Sequence, residues 1–323
     1  MEPVRWGILS TARINAMVVP GLHESPLTEL VAVASRERER ASAYAESWAI
    51  PRAYGSYAEL LEDTDVEAVY ISLPNSDHVA WSIRALEAGK HVLCEKPLTR
   101  DPAAVTRAFD AADAAGLLLM EAFMWRHHPQ TARLAELVRG GAIGELRLIR
   151  ASFSFMIDEG NHRLDPALES GSLMDVGCYT VSGSRFLAGE PELAIARQVI
   201  GPTGVEVRIA GTLVFPGGAL AQLDCGYDLP PRQGLEALGS EGWLRVATPW
   251  GCEEPGIELH RGHDTQHFQI DHADRYRLQS ENFSRAIRGL EPPLLGRADA
   301  LGQARAIDAL YRSAEAGGAT VPV

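Results

Sequence analysis

Residues 69–98, VYISLPNSDHVAWSIRALEAGKHVLCEKPL, read as a strand, a helix and a second strand in direct succession. The apolar run 69–73 stops at Pro74-Asn75, and Ser76 or Asp77 can cap a helix whose inward positions are Val79, Ile83 and Leu86. Gly89 closes that helix, and the run 91–94 then delivers Glu95-Lys96-Pro97. Ligands of a parallel sheet gather beyond the carboxyl ends of its strands. Both tips therefore point to one crevice, and Leu73, Pro74, Asn75, His78, Glu95, Lys96 and Pro97 are candidates to contact what binds there. A lysine in such a place asks for a chemical explanation.

The rest of the chain fits an α/β enzyme. Its 323 residues suffice for two domains, and 46% hydrophobic with 23% charged residues is the make-up of a packed globular protein. A formal net charge of -13 speaks against phosphate-backbone binding, so no nucleic acid partner is expected. No apolar run reaches the length of a membrane span and no charged-then-apolar leader opens the chain, so a cytoplasmic protein without a membrane partner is expected. Cys94, Cys178, Cys225 and Cys252 lie far apart without a CxxC pair, as packed thiols in a reducing compartment do.

Residues 4–9 form a short apolar strand followed by Ser10-Thr11-Ala12-Arg13-Ile14. A dinucleotide fold places its glycine turn here, with pyrophosphate at the next helix N-terminus. The fingerprint is degenerate: Ser10, Ala12 and Asn15 stand at the glycine positions, small enough for close backbone approach to a phosphate. A plain strand-to-helix turn is the other reading. The next strand, 30–34, ends in Ser35-Arg36, with Arg40 one helical turn on. An acid at this tip bonds the ribose hydroxyls of NAD. A hydroxyl and two guanidiniums suit a 2′-phosphate instead, which favours NADP over NAD. The competing reading pairs Arg36 and Arg40 with Glu37 and Glu39 on a solvated helix.

With Glu95-Lys96-Pro97 and the stretch LESGSLMDVGCYTV at 168–181, the chain resembles the Gfo/Idh/MocA oxidoreductases. GILSTARI at 7–14 and EAFMWRHHPQ at 121–130 are most similar to the branch that holds dimeric dihydrodiol dehydrogenase, NADP-dependent D-xylose dehydrogenase and glucose–fructose oxidoreductase. The resemblance implies an α/β fold: an N-terminal Rossmann domain, placed at 1–122, and a C-terminal α/β domain with a large, mostly antiparallel open sheet, placed at 123–323. The residues agree. Residues 145–156 alternate, with Ile149, Ala151, Phe153 and Phe155 on one face and Arg150, Ser152 and Ser154 on the other. Pro216-Gly217-Gly218 and Ser240-Glu241-Gly242 are hairpin signals, and 298–316 reads as a closing amphipathic helix. The resemblance also implies a homodimer or homotetramer, and one face of an open sheet needs cover.

Residues 173–187 read as a helix with Asp175 and Tyr179 at i and i+4 on one face. In the family this helix faces the nicotinamide. Oxidising an alcohol requires a base for the hydroxyl proton, and a phenol titrating at about 10 is a poor one until a nearby ammonium lowers that value. Lys96 and Tyr179 are thus expected to form the proton-transfer unit, with Asp175 as a third catalytic or substrate residue, or as an anchor of the helix. Trp125, Arg126 and Arg163, beside Asn161 and His162, are further candidates for the substrate pocket, and hinge packing is an equal reading of Trp125. Glu169 and Ser170 replace glycines of the family pattern. His263 and His267 have i, i+4 spacing within HRGHDTQHFQIDH, yet the segment does not read as a helix; a solvated polar stretch and no metal are expected.

The expected function is hydride transfer between NADP and a sugar or sugar-like cyclic alcohol or its carbonyl form. Two alternatives stay open: an NAD(P)-retaining glycoside hydrolase of the same family, and a nucleotide-binding regulator without turnover. The retained Lys96, Asp175 and Tyr179 speak against the second.

Overall fold

The computed structural model describes residues 2–323, which divide into two compact units. The first runs to Met124 and takes in Asp274–Leu301; the second comprises Trp125–Ala273 and Gly302–Val323. In the first, β1 (Val4–Leu9), β2 (Thr28–Ala34), β3 (Arg52–Tyr54), β4 (Ala68–Ile71), β5 (His91–Cys94) and β6 (Leu119–Glu121) form a parallel sheet of order β3-β2-β1-β4-β5-β6. Between them lie α1 (Asn15–Glu24), α2 (Arg38–Ser47), α3 (Tyr57–Leu61), α4 (Asn75–Glu87) and α5 (Pro102–Ala115). Strands buried on both faces must be continuously apolar, and β4 is buried throughout. The order reverses between β1 and β4, which opens a crevice at their carboxyl ends.

α4 departs from the sequence expectation in its cap and its face. Pro74 stands at the N-cap and no side chain caps the helix. The buried positions are His78, Ser82, Ala85 and Leu86, whereas Val79 and Ile83 are only half-buried. The reason is polar: His78 turns inward to meet backbone carbonyls, which rotates the helix away from its apolar stripe.

The second unit is built on a nine-stranded sheet, mixed and mostly antiparallel. Its strands are β7 (Leu146–Ser154), β8 (Leu193–Ile200), β9 (Glu206–Val214), β10 (Leu220–Gly226), β11 (Arg232–Gly239), β12 (Trp243–Val246), β13 (Gly256–Arg261), β14 (Asp264–Gln269) and β15 (Val321–Pro322). They run in the order β14-β13-β12-β11-β7-β10-β9-β8-β15, with only β7 and β10 parallel. The helices are α6 (Pro129–Arg139) and α7 (Cys178–Ala188), with α8 (Arg275–Ile287) counted in the first unit and α9 (Arg297–Glu315) closing the chain. Both expected hairpins are present, at β9–β10 and β11–β12. The alternation in β7 holds as far as Ala151 and then fails, because Ser152 and Ser154 are buried as well. The Ser154 hydroxyl donates to Pro230 O at 2.9 Å, which satisfies it without solvent. The histidine-rich segment is solvated, as expected, and not helical: it forms the β13–β14 hairpin, with His263 and His267 exposed.

A cut at 122/123 leaves α8 with the second half of the chain, yet the helix packs on the first unit. Trp6 meets Phe283 at 5.8 Å between centroids and donates from its indole to Ser284 Oγ at 3.3 Å. Arg288, just past the helix, grips Glu67 with two nitrogens at 2.8 and 3.2 Å. Burial alone would raise the Glu67 carboxyl, but the bonds from Arg288 and the Arg5 amide bring it below its usual value. The pair therefore contributes stability above the ordinary glutamate pKa of about 4.3, and that contribution is lost as pH falls through Glu67's lowered value. Arg288→Met should cost roughly 1.5–3 kcal/mol near neutrality. Urea denaturation of both proteins should show this gap closing in acid; a gap independent of pH would contradict the assignment.

Candidate active site

In the first unit the chemistry collects at the carboxyl edge of the parallel sheet. Ser10 follows β1 with φ of 123°, a conformation that glycine favours. It is held there on every side. Its hydroxyl lies 2.8 Å from Ser72 Oγ and 3.0 Å from Ser72 O, and accepts from Ala12 N at 3.1 Å. Its carbonyl accepts from Asn15 Nδ2 at 2.9 Å, and its amide donates to Ala34 O at 3.1 Å. Serine thus adopts the backbone that the missing glycine would have supplied, and its hydroxyl ties the β1 turn to the β4 tip. No side chain caps α1 behind it. A constrained turn of small residues that leads to a helix N-terminus without a side-chain cap fits the pyrophosphate of a dinucleotide.

At the β2 tip Ser35 is buried, with its amide on Tyr54 O, whereas Arg36 and Arg40 are exposed. Neither arginine joins an ion pair among the described residues, so the competing reading with Glu37 and Glu39 is not realised. Both lie close enough to Tyr57 to pull its phenol down, although burial dominates and raises it. Two guanidiniums beside an aromatic hydroxyl suit a phosphorylated ribose better than a bare one.

The loop after β5 is tied on three sides. Tyr70 donates its hydroxyl to Glu95, whose other oxygen accepts the Lys96 amide at 3.2 Å. Leu98 N donates to Glu121 Oε1 at 2.7 Å. His78 is buried with Nδ1 2.9 Å from Pro97 O and Nε2 2.8 Å from Leu73 O. One ring therefore bridges the tips of β4 and β5. Burial pushes this imidazole down, against the pull of its contacts with Pro97 O and Leu73 O, and the Lys96 charge adds to the lowering. Tyr276, from α8, completes the surroundings: its phenol is pushed up to about 12 by burial first and by the Glu95 charge second, against the pull of Arg275 and Lys96.

In the second unit Asp175 lies in a π-helical turn, Leu173–Gly177, that runs into α7. The expected helix is therefore present but its first turn is wider than an α-turn, a feature frequent at functional sites. Asp175 accepts from Arg163 Nε at 2.7 Å. Burial works to lower the Arg163 guanidinium, but the Asp175 carboxylate outweighs it and raises the pKa. Tyr179 is buried between aromatic rings, 5.5 Å from Phe153 and 6.0 Å from Trp250. Asn161 Oδ1 accepts Arg163 N at 3.1 Å and shapes the turn that carries it. Trp125 is fully buried, edge-on to Phe186 at 5.8 Å and to Trp250 at 5.2 Å, so its ring serves packing. Arg126 sits over Phe186 at 4.4 Å.

Sequence reasoning missed Tyr70, Tyr276, Tyr227 and Glu206. Tyr227 donates to Gly171 O at 3.1 Å, and its phenol is pushed well up by burial and by Asp175. A tyrosine within an apolar strand was the available signal for Tyr70; nothing local marks the others. Among the described residues no group of three or more His, Cys, Asp or Glu is placed to hold a metal ion, and no helix is long and apolar enough to cross a membrane. A concavity of about 670 Å³ lies on the sheet face that carries Arg150, Ser152 and Asp224, away from the Phe153 face on which Tyr179 packs.

Residues 4–123 match the family model described as the Gfo/Idh/MocA oxidoreductase family with NAD-binding Rossmann fold, and residues 131–245 match the Gfo/Idh/MocA C-terminal domain. D-xylose 1-dehydrogenase (NADP(+)) 2 of Haloferax volcanii is 40% identical, over 97% of this chain and 98% of its own. The 3-ketoreductase KijD10 of Actinomadura kijaniata, solved with NADP and TDP-benzene, superimposes with a TM-score of 0.90 at 34% identity, over 96% of this chain and 98% of that one. An aldose-aldose oxidoreductase of Caulobacter crescentus, solved with glycerol, gives 0.92 at 29% identity, over 99% and 100%.

Proposed function

The chain belongs to the Gfo/Idh/MocA oxidoreductase family, and from that premise we propose that it transfers a hydride between NADP and a sugar or sugar-like cyclic alcohol, or its carbonyl form. The observation that carries the cofactor choice is the β2 tip, where Arg36 and Arg40 are exposed and join no ion pair among the described residues, and no acid occupies the tip itself. The NADP(+) dehydrogenase and the NADP-bound ketoreductase among its relatives support the same choice. Residues 1–122 would hold NADP at Ser10 to Ile14, Ser35, Arg36, Arg40 and the tips from Leu73 to His78 and Glu95 to Pro97. The second unit, Trp125–Ala273 with Gly302–Val323, would hold the substrate and mediate self-association.

When bound, NADP supplies the hydride acceptor, or the donor in the reverse direction. The protein supplies orientation and a proton path. Lys96 holds the reacting oxygen, and its positive charge favours the Tyr179 phenolate. Tyr179 takes the hydroxyl proton during oxidation and returns it during reduction. Arg163 holds the Asp175 carboxylate through its 2.7 Å bond and so orients it for substrate hydroxyls. The ties from Tyr70, Glu121 and His78 keep the loop that carries Lys96 in one conformation, so the ammonium need not be ordered anew at each turnover.

Arg36→Ala should weaken NADP binding by roughly 1.5–3 kcal/mol, with little effect on NAD. Calorimetric titration with both cofactors checks this; equal losses, or a wild-type preference for NAD, would contradict it. Tyr179→Phe should leave NADP affinity nearly intact and lower turnover by about 10²–10⁴. Lys96→Ala should be at least as severe, and the double variant far from additive, in steady-state kinetics on the sugar or polyol that a screen of aldoses, cyclic polyols and keto-sugars finds. Near wild-type turnover in Tyr179→Phe would move the proton to another group, Asp175 first. Self-association into a dimer or tetramer is proposed through the open sheet face, where Arg150–Glu236 at 3.8 Å and Arg245–Glu258 at 3.6 Å alternate in sign beside the exposed Ile195 and Leu220. Light scattering should return a multiple of the monomer mass, and a monomer alone at micromolar concentration would count against it.

A further inference from the structure

The segment that carries Asp175 and Tyr179 begins without a cap of its own. Ser172 holds the N-cap position, yet its side chain makes no cap bond to its own helix. Its hydroxyl donates instead to Glu206, the first residue of β9, 34 positions further along the chain. Leu173 N, the first amide of the π-turn, donates to Glu206 Oε2 at 2.9 Å. Tyr311, from α9, donates to the same oxygen at 3.3 Å. Three donors thus converge on one buried carboxyl group, 5% exposed.

The approach is close because of Gly171. At its φ of 144°, a Cβ would meet Tyr311 Oη at 2.8 Å and Glu206 Oε2 at 3.1 Å. Gly171 O in turn accepts from Asp175 N at 3.0 Å and from Tyr227 Oη at 3.1 Å. A helix start leaves its first amides without partners, and a buried one is costly to leave so. An acid at that end also suits the helix dipole. The chain meets both demands from a distant strand.

We infer that Glu206 is a positioning residue: it caps the π-turn across the fold and so sets where Asp175 and Tyr179 stand. The inference rests on the proposed roles of those two residues. The path is short, since the capped atoms belong to Ser172 and Leu173 and the next bond in line is the Asp175 amide. Burial pushes the Glu206 carboxyl up, against the pull of the bonds from Leu173, Ser172 and Tyr311, and glutamine is the substitution that keeps its shape and an acceptor oxygen. What the cap needs is an acceptor of the right length.

The test compares Glu206→Gln with Glu206→Leu in the wild-type and Tyr179→Phe backgrounds. Glu206→Gln should keep kcat within about threefold. Glu206→Leu should lower kcat by roughly 10–100-fold, the scale of a misplaced catalytic group, while the NADP Kd from fluorescence titration stays within about twofold. In the Tyr179→Phe background the Leu effect should shrink, because little remains to misplace. Three results would overturn the inference: Glu206→Leu with wild-type kcat, a Leu effect of undiminished size beside Tyr179→Phe, or Glu206→Gln as damaged as Glu206→Leu. Should Glu206→Leu fail to fold, Ser172→Ala decides: a loss in kcat of about 3–10-fold is expected, and none would overturn it. Full turnover in Tyr179→Phe alone would instead sink the functional reading and leave the capping bonds as pure structure.

Discussion

The Ser10 hydroxyl, set between Ser72 and Ala12, closes the point at which the parallel sheet reverses its strand order. Everything proposed for the nucleotide depends on that closure. A doubly wound sheet leaves a gap beyond the strands that flank the reversal, and the gap binds an anion only when the backbone at its edge is held open toward it. Glycines usually grant that conformation freely. Here a serine takes it at some conformational cost, and the hydrogen bonds to Ser72, Ala12, Ala34 and Asn15 offset the cost. From this edge the other tips follow, since parallel pairing fixes β2, β4 and β5 in register with β1 and so places Arg36, Asn75 and Lys96 along one rim.

The second unit solves a different problem with the same means. Its candidate residues stand at the start of a helix, where backbone amides lack partners, and it satisfies them with Glu206 from another strand. In both units a buried polar contact fixes the backbone next to a residue proposed for chemistry: Ser10 beside the phosphate turn, His78 and Glu121 around Lys96, Glu206 ahead of Asp175. Such contacts are costly when half made, which is why they specify one geometry.

What the sequence made legible was whatever repeats locally. β1 and β5 have the bounds that their apolar runs indicate, and the two hairpins follow from their turn residues. The chemistry at the strand tips was legible for a related reason, since an apolar strand must end where polar residues begin. The misreadings share one cause. α4 buries His78 and Ser82 in place of Val79 and Ile83, and β7 buries Ser152 and Ser154. His78 and Ser154 find partners outside their own elements, at Pro97 O and Pro230 O, and periodicity of hydrophobic residues carries no trace of such partners. Glu206 is the extreme instance: at the head of a strand it looks like a solvated acid until the turn that it caps is in view. The wider first turn before α7 was equally hidden, because an i, i+4 pattern fits an α-helix and a π-turn followed by one.

The central claim is hydride transfer to and from the substrate carbon, and isotope tracing reaches it most directly. Aldoses and cyclic polyols deuterated at the oxidisable carbon would be incubated with the protein and NADP, and the released cofactor analysed by mass spectrometry. The account predicts reduced cofactor that carries the deuterium on its nicotinamide ring, in step with oxidised sugar. Deuterium that stays on the sugar with no reduced cofactor, or label lost to solvent while a glycosidic bond is cleaved, would contradict it.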